Sequence, residues 1–409
     1  LTEKLGRFQG RTWEVDKVQT TCTHCGGGCQ IEYWAKDNRL IRAYGVDKEN
    51  TDNRGHLCVK GRFGFDFVNS PNRLTTPLIR KNGKLEQAGW DEALDYVAEN
   101  FRKIKEKYGS DAIGGIASAK TTNEENYLFQ KFMRASVGTN NIDYCVRFCH
   151  SPSGVALGRA FGGGPATNSP ALLETVDVVL VVGLNLTEMY PVFADMLKRK
   201  IKEGKVKLIV VDPRRIELVD YSHVWIRAKL GTDLAWINGM MHVILAEGLH
   251  DADFIAARTS GIEEVRKVMA NYSPENVEAI TGVAKEQIIE AARLYGKADR
   301  AALFYGMGLA QHVHGTDNVA GLANLALLTG NVGKAGTGVN GIGKHSNGPG
   351  AGDMGCSPTA YPAGQAVSNA KVIEKFEKAW GVSLSGKPGL SQSDMLLGTS
   401  NIKGLYIVG

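Results

Sequence analysis

Cys22, Cys25, Cys29 and Cys58 form the most chemically specific pattern in this sequence. The first three are spaced C-x2-C-x3-C in a turn that contains three consecutive glycines, and Cys58 follows later in the chain. Three thiolates on one short loop can converge, and a fourth from a distant loop completes a site of the kind that holds a [4Fe-4S] cluster. Structural zinc and disulfides are the alternatives, but zinc sites more often use two C-x2-C knuckles and this chain has one. The pattern therefore favours electron transfer.

A second candidate centre is Cys149, which His150 follows directly. A thiolate beside an imidazole can act as a nucleophile, as a soft-metal ligand or as both, with His150 carrying protons. A Cys-His pair alone is weak support, because a buried, unreactive cysteine gives the same two letters.

The elements that must position these residues belong to an α/β protein. Residues 1–67 are rich in cysteine, glycine and turns, and they predict a small β-rich domain around the cluster. Further on, Val178–Val182 and Lys207–Val211 are continuous apolar runs of the kind buried in a parallel sheet, separated by a predicted helix over 191–203. Further helices are predicted from Trp90 and over 233–247, 262–270, 273–279, 285–297 and 316–329. Ligands of such sheets bind beyond the carboxyl ends of the strands.

Residues 330–355 contain ten glycines in 26 positions without a strict repeat. A flexible linker would be richer in serine, so we interpret the segment as a loop that lets the backbone approach a large cofactor. The linker interpretation is the alternative.

The bulk composition excludes several classes of protein. At 409 residues, two or three domains are expected, and no apolar run has the length of a membrane span. A net charge of +5 without a dense Lys/Arg block argues against a nucleic-acid partner. Seven cysteines, four of them clustered, suit a reducing compartment and predict a cytoplasmic location. Because the sequence begins at Leu1 and stops within a strand-like run at Gly409, we expect a fragment, and an export signal is left undecided.

Taken in chain order, the motifs resemble the molybdopterin oxidoreductase family and, within it, the catalytic α subunits of formate dehydrogenases. The resemblance covers essentially the whole chain. It rests on the four cysteines with Lys60, on Cys149-His150 with Pro152-Ser153, and on Gly183-x-Asn185, Asp212-Pro-Arg214, Gly231-Thr-Asp233, Gly306-Met-Gly308 and 327–334.

The resemblance implies a role for each motif. Cys22, Cys25, Cys29 and Cys58 would bind a [4Fe-4S] cluster, and Lys60 would relay electrons between cluster and pterin. Cys149 would ligate molybdenum or tungsten, and His150 would handle the proton of formate. Two molybdopterin guanine dinucleotides would contact a further set of residues: Asn185, Asp212, Arg214, Gly231, Asp233, Met307, Gly308 and Gln311. For each of these residues, an ordinary cap or turn is the alternative.

The resemblance also implies a fold: a small β-rich iron–sulfur domain plus two Rossmann-like α/β domains with parallel sheets, one of them discontinuous. We expect the cluster domain over residues 1–67, one α/β domain over 68–145 with 345–409, and the pterin-dinucleotide domain over 146–344. Family members continue into a C-terminal domain that this sequence does not contain.

One position departs from the family pattern. Gly343 stands where formate dehydrogenases have the arginine that orients formate, and Lys344 or His345 is the candidate substitute. The sequence thus predicts a formate dehydrogenase subunit, with formate or CO2 as substrate and iron–sulfur subunits as electron partners. A non-catalytic electron-transfer subunit, like the large iron–sulfur subunit of complex I-type NADH dehydrogenases, is one alternative, and a related enzyme for another substrate is the other.

Overall fold

The structure is a computed structural model that describes residues 8–47, 51–164, 166–169, 173–398 and 401–409. Its N-terminal part is a three-stranded antiparallel sheet in the order β1-β2-β3. The strands are β1 (Asp16–Thr21), β2 (Gln30–Lys36) and β3 (Arg39–Gly45). Asp37 and Asn38, both with positive φ, form the tight turn between β2 and β3, as two-residue hairpins require. The short helix α1 (Val59–Phe63) packs on β3 and completes this part.

A hairpin and a second, parallel sheet follow. The hairpin pairs β4 (Leu78–Lys81) with β5 (Lys84–Gln87), and the amphipathic helix α2 (Trp90–Tyr108) comes next. The sheet contains β6 (Ile113–Ala117), β7 (Ile142–Tyr144) and, from the far end of the sequence, β15 (Gly404–Ile407). Its order, β15-β6-β7, joins residues almost 300 positions apart, so this unit is discontinuous.

The largest sheet is parallel, with the order β10-β9-β8-β11-β12. Its strands are β8 (Val178–Val182), β9 (Lys207–Val211), β10 (Val224–Ile226), β11 (Ala301–Tyr305) and β12 (Gly338–Gly341). The residues of β8 and β11 are buried throughout, because helices cover both faces of the sheet. These continuous apolar runs therefore form central strands, as the sequence predicts.

Helices connect and cover the two parallel sheets. In chain order they are α3 (Asn123–Lys131), α4 (Val146–Cys149), α5 (Ser151–Phe161), α6 (Leu186–Met189), α7 (Pro191–Lys202), α8 (Asp233–Ala246), α9 (Ala252–Arg258), α10 (Ile262–Met269), α11 (Pro274–Thr281), α12 (Lys285–Gly296), α13 (Met307–Ala310), α14 (Gly315–Leu328), α15 (Gly348–Asp353), α16 (Ala370–Trp380) and α17 (Gln392–Leu396). The short strands β13 (Ala360–Tyr361) and β14 (Gln365–Ala366) pair between α15 and α16. In the described ranges, none of these helices combines the length and apolarity needed to cross a bilayer.

Arg134 anchors the chain that follows α15. It lies in the π-helical turn Phe132–Val137 that extends α3, and its side chain is 3% exposed. Its guanidinium donates to the carbonyl oxygens of Gly355, Ser357 and Ala360 at 2.7, 2.6 and 2.9 Å. One buried side chain thereby satisfies three backbone acceptors of a segment that is far away in sequence.

The predicted α/β class, with a small antiparallel sheet followed by parallel sheets, is confirmed. The glycine-rich segment differs from the prediction, since 330–355 contains a strand, β12, and a helix, α15, rather than one continuous loop. β12 forms because β11 offers a free parallel edge, which outweighs the low strand propensity of glycine. The domain boundaries stay a prediction.

Candidate functional site

The four predicted cluster cysteines line one cavity, between the N-terminal sheet and the start of α7. Cys22 follows β1 and Cys29 precedes β2, and the backbone N–H of Cys22 donates to the carbonyl oxygen of Cys29 at 2.9 Å. This bond closes residues 22–29 into a compact turn, called the cluster loop below. Cys58 reaches the same cavity from the N-terminus of α1. The structure therefore brings together all four residues that the sequence singles out.

The chemistry of this donor set fits an iron–sulfur cluster. Burial, with smaller contributions from the neighbouring thiolates, raises the pKa of Cys29 to about 12 and also raises that of Cys22. The thiols of Cys22 and Cys29 thus resist ionisation unless a cationic group balances them. Among the described residues, no set of three or more His, Cys, Asp or Glu converges on a single ion, and all seven cysteines are free. The four sulfur donors around this cavity are the kind of ligand set that a [4Fe-4S] cluster requires.

Close backbone packing joins the cluster loop to the rest of the site. A Cβ on Gly26 would lie 2.3 Å from Oη of Tyr190 and 3.0 Å from the carbonyl oxygens of Gly343 and His345. Only glycine fits between these groups. The cluster loop is therefore fixed against both the segment before α7 and the 342–345 segment.

A second cavity, of about 470 Å³, lies beyond the carboxyl ends of β8, β9 and β11. Six of the predicted dinucleotide-binding residues line it: Asn185, Asp212, Arg214, Asp233, Met307 and Gly308. Two do not. Gly231 lies beside the lining residue Leu230, and Gln311 donates from Nε2 to the carbonyl oxygen of Phe148 at 2.7 Å, next to Cys149.

The polar groups of this second cavity suit a large anionic ligand with hydrogen-bonding edges. Burial raises the pKa of both Asp212 and Asp233. The side-chain oxygen of Asn185 is buried without a partner. Arg214 and Lys344 add positive charge to the lining. These residues fit the nucleotide part of a pterin dinucleotide.

Two turns of the sheet meet at the mouth of this cavity. Gly183, with a φ of +52°, follows β8, and its carbonyl oxygen accepts from the backbone N–H of Gly308 at 3.1 Å. A Cβ on Gly183 would lie 2.7 Å from the backbone of Gly308. The glycines thus allow adjacent strand ends to approach, although the sequence has no G-x-G-x-x-G motif.

Lys60 lies between the two cavities. Lys60 lines the cysteine cavity, and Glu188 lines the dinucleotide cavity. The Nζ of Lys60 donates to the carbonyl oxygen of Glu188 at 3.3 Å. The lysine therefore spans the wall that separates them.

Cys149 ends α4, and His150 connects α4 to α5. His150 Nε2 lies 3.1 Å from the carbonyl oxygen of Ile342, which can only accept, so Nε2 carries the proton. In the neutral ring, Nδ1 then accepts from the hydroxyl of Ser153 at 3.0 Å. Burial lowers the pKa of His150, which favours this neutral form. Burial, with a smaller contribution from Cys145, raises the pKa of Cys149 to about 11.

The 342–345 segment touches every part of the site. Ile342 binds His150, Gly343 and His345 abut the cluster loop, and Lys344 lines the dinucleotide cavity. His345 Nδ1 lies 3.1 Å from Sγ of Cys145. Neither Lys344 nor His345 therefore takes the position that a side chain on Gly343 would have, and the sequence-based idea that one of them replaces the arginine gains no support.

Sequence reasoning did not identify Cys145 or Lys120. Lys120 donates from Nζ to the carbonyl oxygens of Thr23 and His24 in the cluster loop, at 3.3 and 3.1 Å. Burial is the main cause that lowers the pKa of Lys120. The contact of Cys145 with His345 and the bonds of Lys120 to the cluster loop each join segments far apart in sequence, so no spacing motif indicates them.

Two family models match the sequence of this chain. The sequence model described as "Molybdopterin oxidoreductase" matches residues 73–409, and that described as "Molybdopterin oxidoreductase Fe4S4 domain" matches residues 15–70. The chain is 42% identical over 405 residues to "Formate dehydrogenase H" of Escherichia coli. It is 40% identical over 397 residues to "F420-dependent formate dehydrogenase 1 subunit alpha" of Methanococcus maripaludis. These alignments cover 97% of this chain but 56% and 58% of the relatives, so the chain spans little more than half their length.

Among solved structures, acetylene hydratase from Pelobacter acetylenicus is similar, with a TM-score of 0.72. The match covers 96% of this chain and 57% of that one, at 22% sequence identity. At this identity the likeness shows the fold alone.

Proposed function

This chain belongs to the molybdopterin oxidoreductase family, and from that premise we propose that it forms the catalytic part of a formate dehydrogenase. The proposed reaction converts formate to CO2, one proton and two electrons, or runs in reverse. The observation that carries the proposal is that a cavity lined by four cysteines and a cavity lined by polar and charged groups lie on either side of Lys60, and that the 342–345 segment links both to His150. The identity of about 40% to formate dehydrogenases over nearly the whole chain supports it.

The cysteine cavity would hold a [4Fe-4S] cluster, and Cys149 would ligate molybdenum or tungsten of a bis-molybdopterin guanine dinucleotide. When bound, these groups supply the two-electron redox chemistry and the one-electron steps that follow it. The chain's own part is to position them. Asp212, Asp233 and Asn185 would accept hydrogen bonds from the nucleotide, while Arg214 and Lys344 would balance its phosphates.

His150 would manage the proton. In its neutral form, Nε2–H is held by Ile342, so the lone pair on Nδ1 is the site that can take a proton. The Ser153 hydroxyl can rotate away from Nδ1 and accept a hydrogen bond instead, which leaves His150 protonated and still held at both nitrogens. Because burial lowers the pKa of His150, the ring would give the proton up readily after each turnover.

Lys60 would provide the path for electrons between the pterin and the cluster, since it spans the wall between the cavities. From the cluster, electrons would pass to an iron–sulfur partner subunit. The experiment that tests the proposal is metal analysis for Mo, W and Fe on anaerobically purified protein, with formate-dependent viologen reduction on the same sample. About one Mo or W per chain, with activity, is the expected result.

Gly343 favours a second candidate, a molybdopterin oxidoreductase that acts on another substrate. The space beside His150 where formate dehydrogenases carry an arginine holds no side chain from this residue. Metal without formate activity in the same experiment would select this candidate. Iron without Mo or W would instead select the non-catalytic electron-transfer subunit.

A further inference from the structure

The turn that follows β6, residues 118–122, connects three segments of the site. The carbonyl oxygen of Ala119 accepts from the backbone N–H of Asn347 at 2.8 Å. Directly before the turn, Ala117 of β6 pairs with Tyr144 of β7, which leads into Cys145 and the helix that ends at Cys149. Lys120 extends from the same turn to the cluster loop. The 118–122 turn is therefore a common support for the cluster loop, the Cys149 helix and the segment after His345.

Lys120 makes an unusual set of contacts for a lysine. Its ammonium group donates to two backbone carbonyl oxygens, those of Thr23 and His24, which lie between the cluster ligands Cys22 and Cys25. In the described part of the chain, no carboxylate forms an ion pair with it. Lys120 thus binds the loop between two cysteines and brings to it a positive charge that no carboxylate of the described residues pairs with.

A charge at this place acts on an iron–sulfur cluster in a defined direction. Reduction adds one negative charge to the cluster, and a nearby cation stabilises the reduced form more than the oxidised form. Lys120 is accessible to solvent, so salt will screen part of this interaction. The interaction therefore raises the reduction potential of the cluster by an amount that depends on ionic strength.

We propose that Lys120 is a positioning residue that holds the cluster loop on the 118–122 turn and whose unpaired charge raises the reduction potential of the cluster. The inference rests on the proposed function only through the presence of the cluster, and it does not depend on which substrate reacts at Cys149. It gives the 118–122 turn a part in electron transfer that no sequence motif signals.

The test is an EPR-monitored redox titration of the purified full chain with its cluster, comparing wild type with Lys120→Gln, Lys120→Met and Lys120→Arg. The two neutral variants should have a more negative midpoint potential than wild type, and Lys120→Arg should retain it, because a guanidinium keeps the charge. The shift should shrink at high salt. Lys371→Gln, the same charge change at an exposed residue on α16 outside both cavities, is the control and should leave the potential unchanged.

Loss of the cluster from both neutral variants, with retention in Lys120→Arg, would also support the proposal, as failure of the loop-holding role. A midpoint potential equal to that of wild type in Lys120→Gln and Lys120→Met would overturn it. A wild-type protein without any cluster signal would remove the basis of both this inference and the proposed function, whereas an unchanged potential in the variants affects only the inference.

Discussion

A Cβ built on Gly343 would lie 3.6 Å from Cδ2 and 3.8 Å from Nε2 of His150, and apart from the two chain neighbours of Gly343 no other atom of the described residues lies within 4 Å. The φ of Gly343 is not positive, so a side chain is sterically allowed there. Gly343 therefore leaves an open space that faces the proposed proton carrier. A substitution at Gly343 can therefore place a side chain beside His150 while the rest of the proposed site is kept.

Gly343→Arg should lower the KM for formate. A guanidinium beside His150 would give the formate carboxylate a charged, bidentate donor. A hydrogen bond to a charged group contributes about 1.5–3 kcal/mol, which corresponds to roughly 10–100-fold tighter binding. Steady-state kinetics with viologen as acceptor checks this. Gly343→Met, of similar reach without charge, is the matched control, and equal KM values for the two variants would contradict the prediction.

Cys149→Ala should lower the rate of formate-dependent viologen reduction to the background level and leave the cluster EPR signal intact. The reason is that Cys149 lies beside His150 in the proposed metal site, whereas the cluster cysteines line a separate cavity. Cys356→Ala, which alters a buried thiol next to Asn126, serves as the control and should keep activity. Full activity in Cys149→Ala would refute the ligand assignment.

Cys58→Ala should remove the cluster EPR signal and lower the iron content to near zero. Cys58 completes the cavity from α1, and the cluster loop alone supplies three thiols. Iron analysis and low-temperature EPR of the reduced protein measure the effect. An unchanged spectrum would rule Cys58 out as a ligand and leave the fourth position to another group.

Asp212→Asn should make the cofactor-free protein more stable, by an amount that grows as the pH rises from 4 to 7. Asp212 is 6% exposed, and burial raises its pKa above the ordinary value of 3.8. The folded state holds the proton to higher pH than the unfolded state, so wild type loses unfolding free energy as the pH rises through this window. The amide keeps an oxygen to accept from the backbone N–H of Arg214 and does not ionise.

Urea denaturation at the two pH values measures this difference. Asp299→Asn, which makes the same change at an exposed carboxylate, is the control variant. A pH-independent difference for Asp212→Asn would contradict the assignment. The same variant should also retain less guanine dinucleotide, since the amide offers a donor where the nucleotide edge requires an acceptor.

Arg134→Met should lower the free energy of unfolding by about 3 kcal/mol or more, because the carbonyl oxygens of three residues, Gly355, Ser357 and Ala360, would lose their donor. Arg159→Met, at an exposed position on α5, should change it by less than about 0.5 kcal/mol. Chemical denaturation of both variants checks the pair. Equal stabilities would show that water replaces Arg134 at these carbonyl groups.

Hydrophobic runs in the sequence predict the central strands of the largest sheet. The strands Val178–Val182 and Lys207–Val211 have the predicted limits, since each contains an apolar run that ends directly before a glycine or an aspartate. The helix Ser151–Phe161 was not predicted. Its two glycines lower helix propensity, and packing against α14 stabilises it instead.

In the candidate site, too, local spacing identifies some residues, whereas others are recognised only from tertiary packing. The four cysteines could be identified because three of them share one turn with a recognisable spacing. The pair of Cys145 and His345, and the bonds from Lys120 to the cluster loop, could not be identified, since they depend on tertiary packing between segments about 100 to 200 residues apart. The direction in which a side chain points also cannot be read from residue spacing. The sequence offers Lys344 as a candidate substitute for the arginine, whereas in the structure it lines the dinucleotide cavity.

The convergence of distant segments on the 342–345 segment also sets an order for biosynthesis. The cysteines lie within the first 58 residues, but the segment that fixes the cluster loop is made almost 300 residues later. Contacts of such high sequence separation form late, because the chain must first close long loops. The thiols are therefore translated well before their final surroundings exist. Pulse-labelled chains that end before residue 342 should consequently expose these cysteines to alkylating reagents, while chains that extend past 347 should protect them.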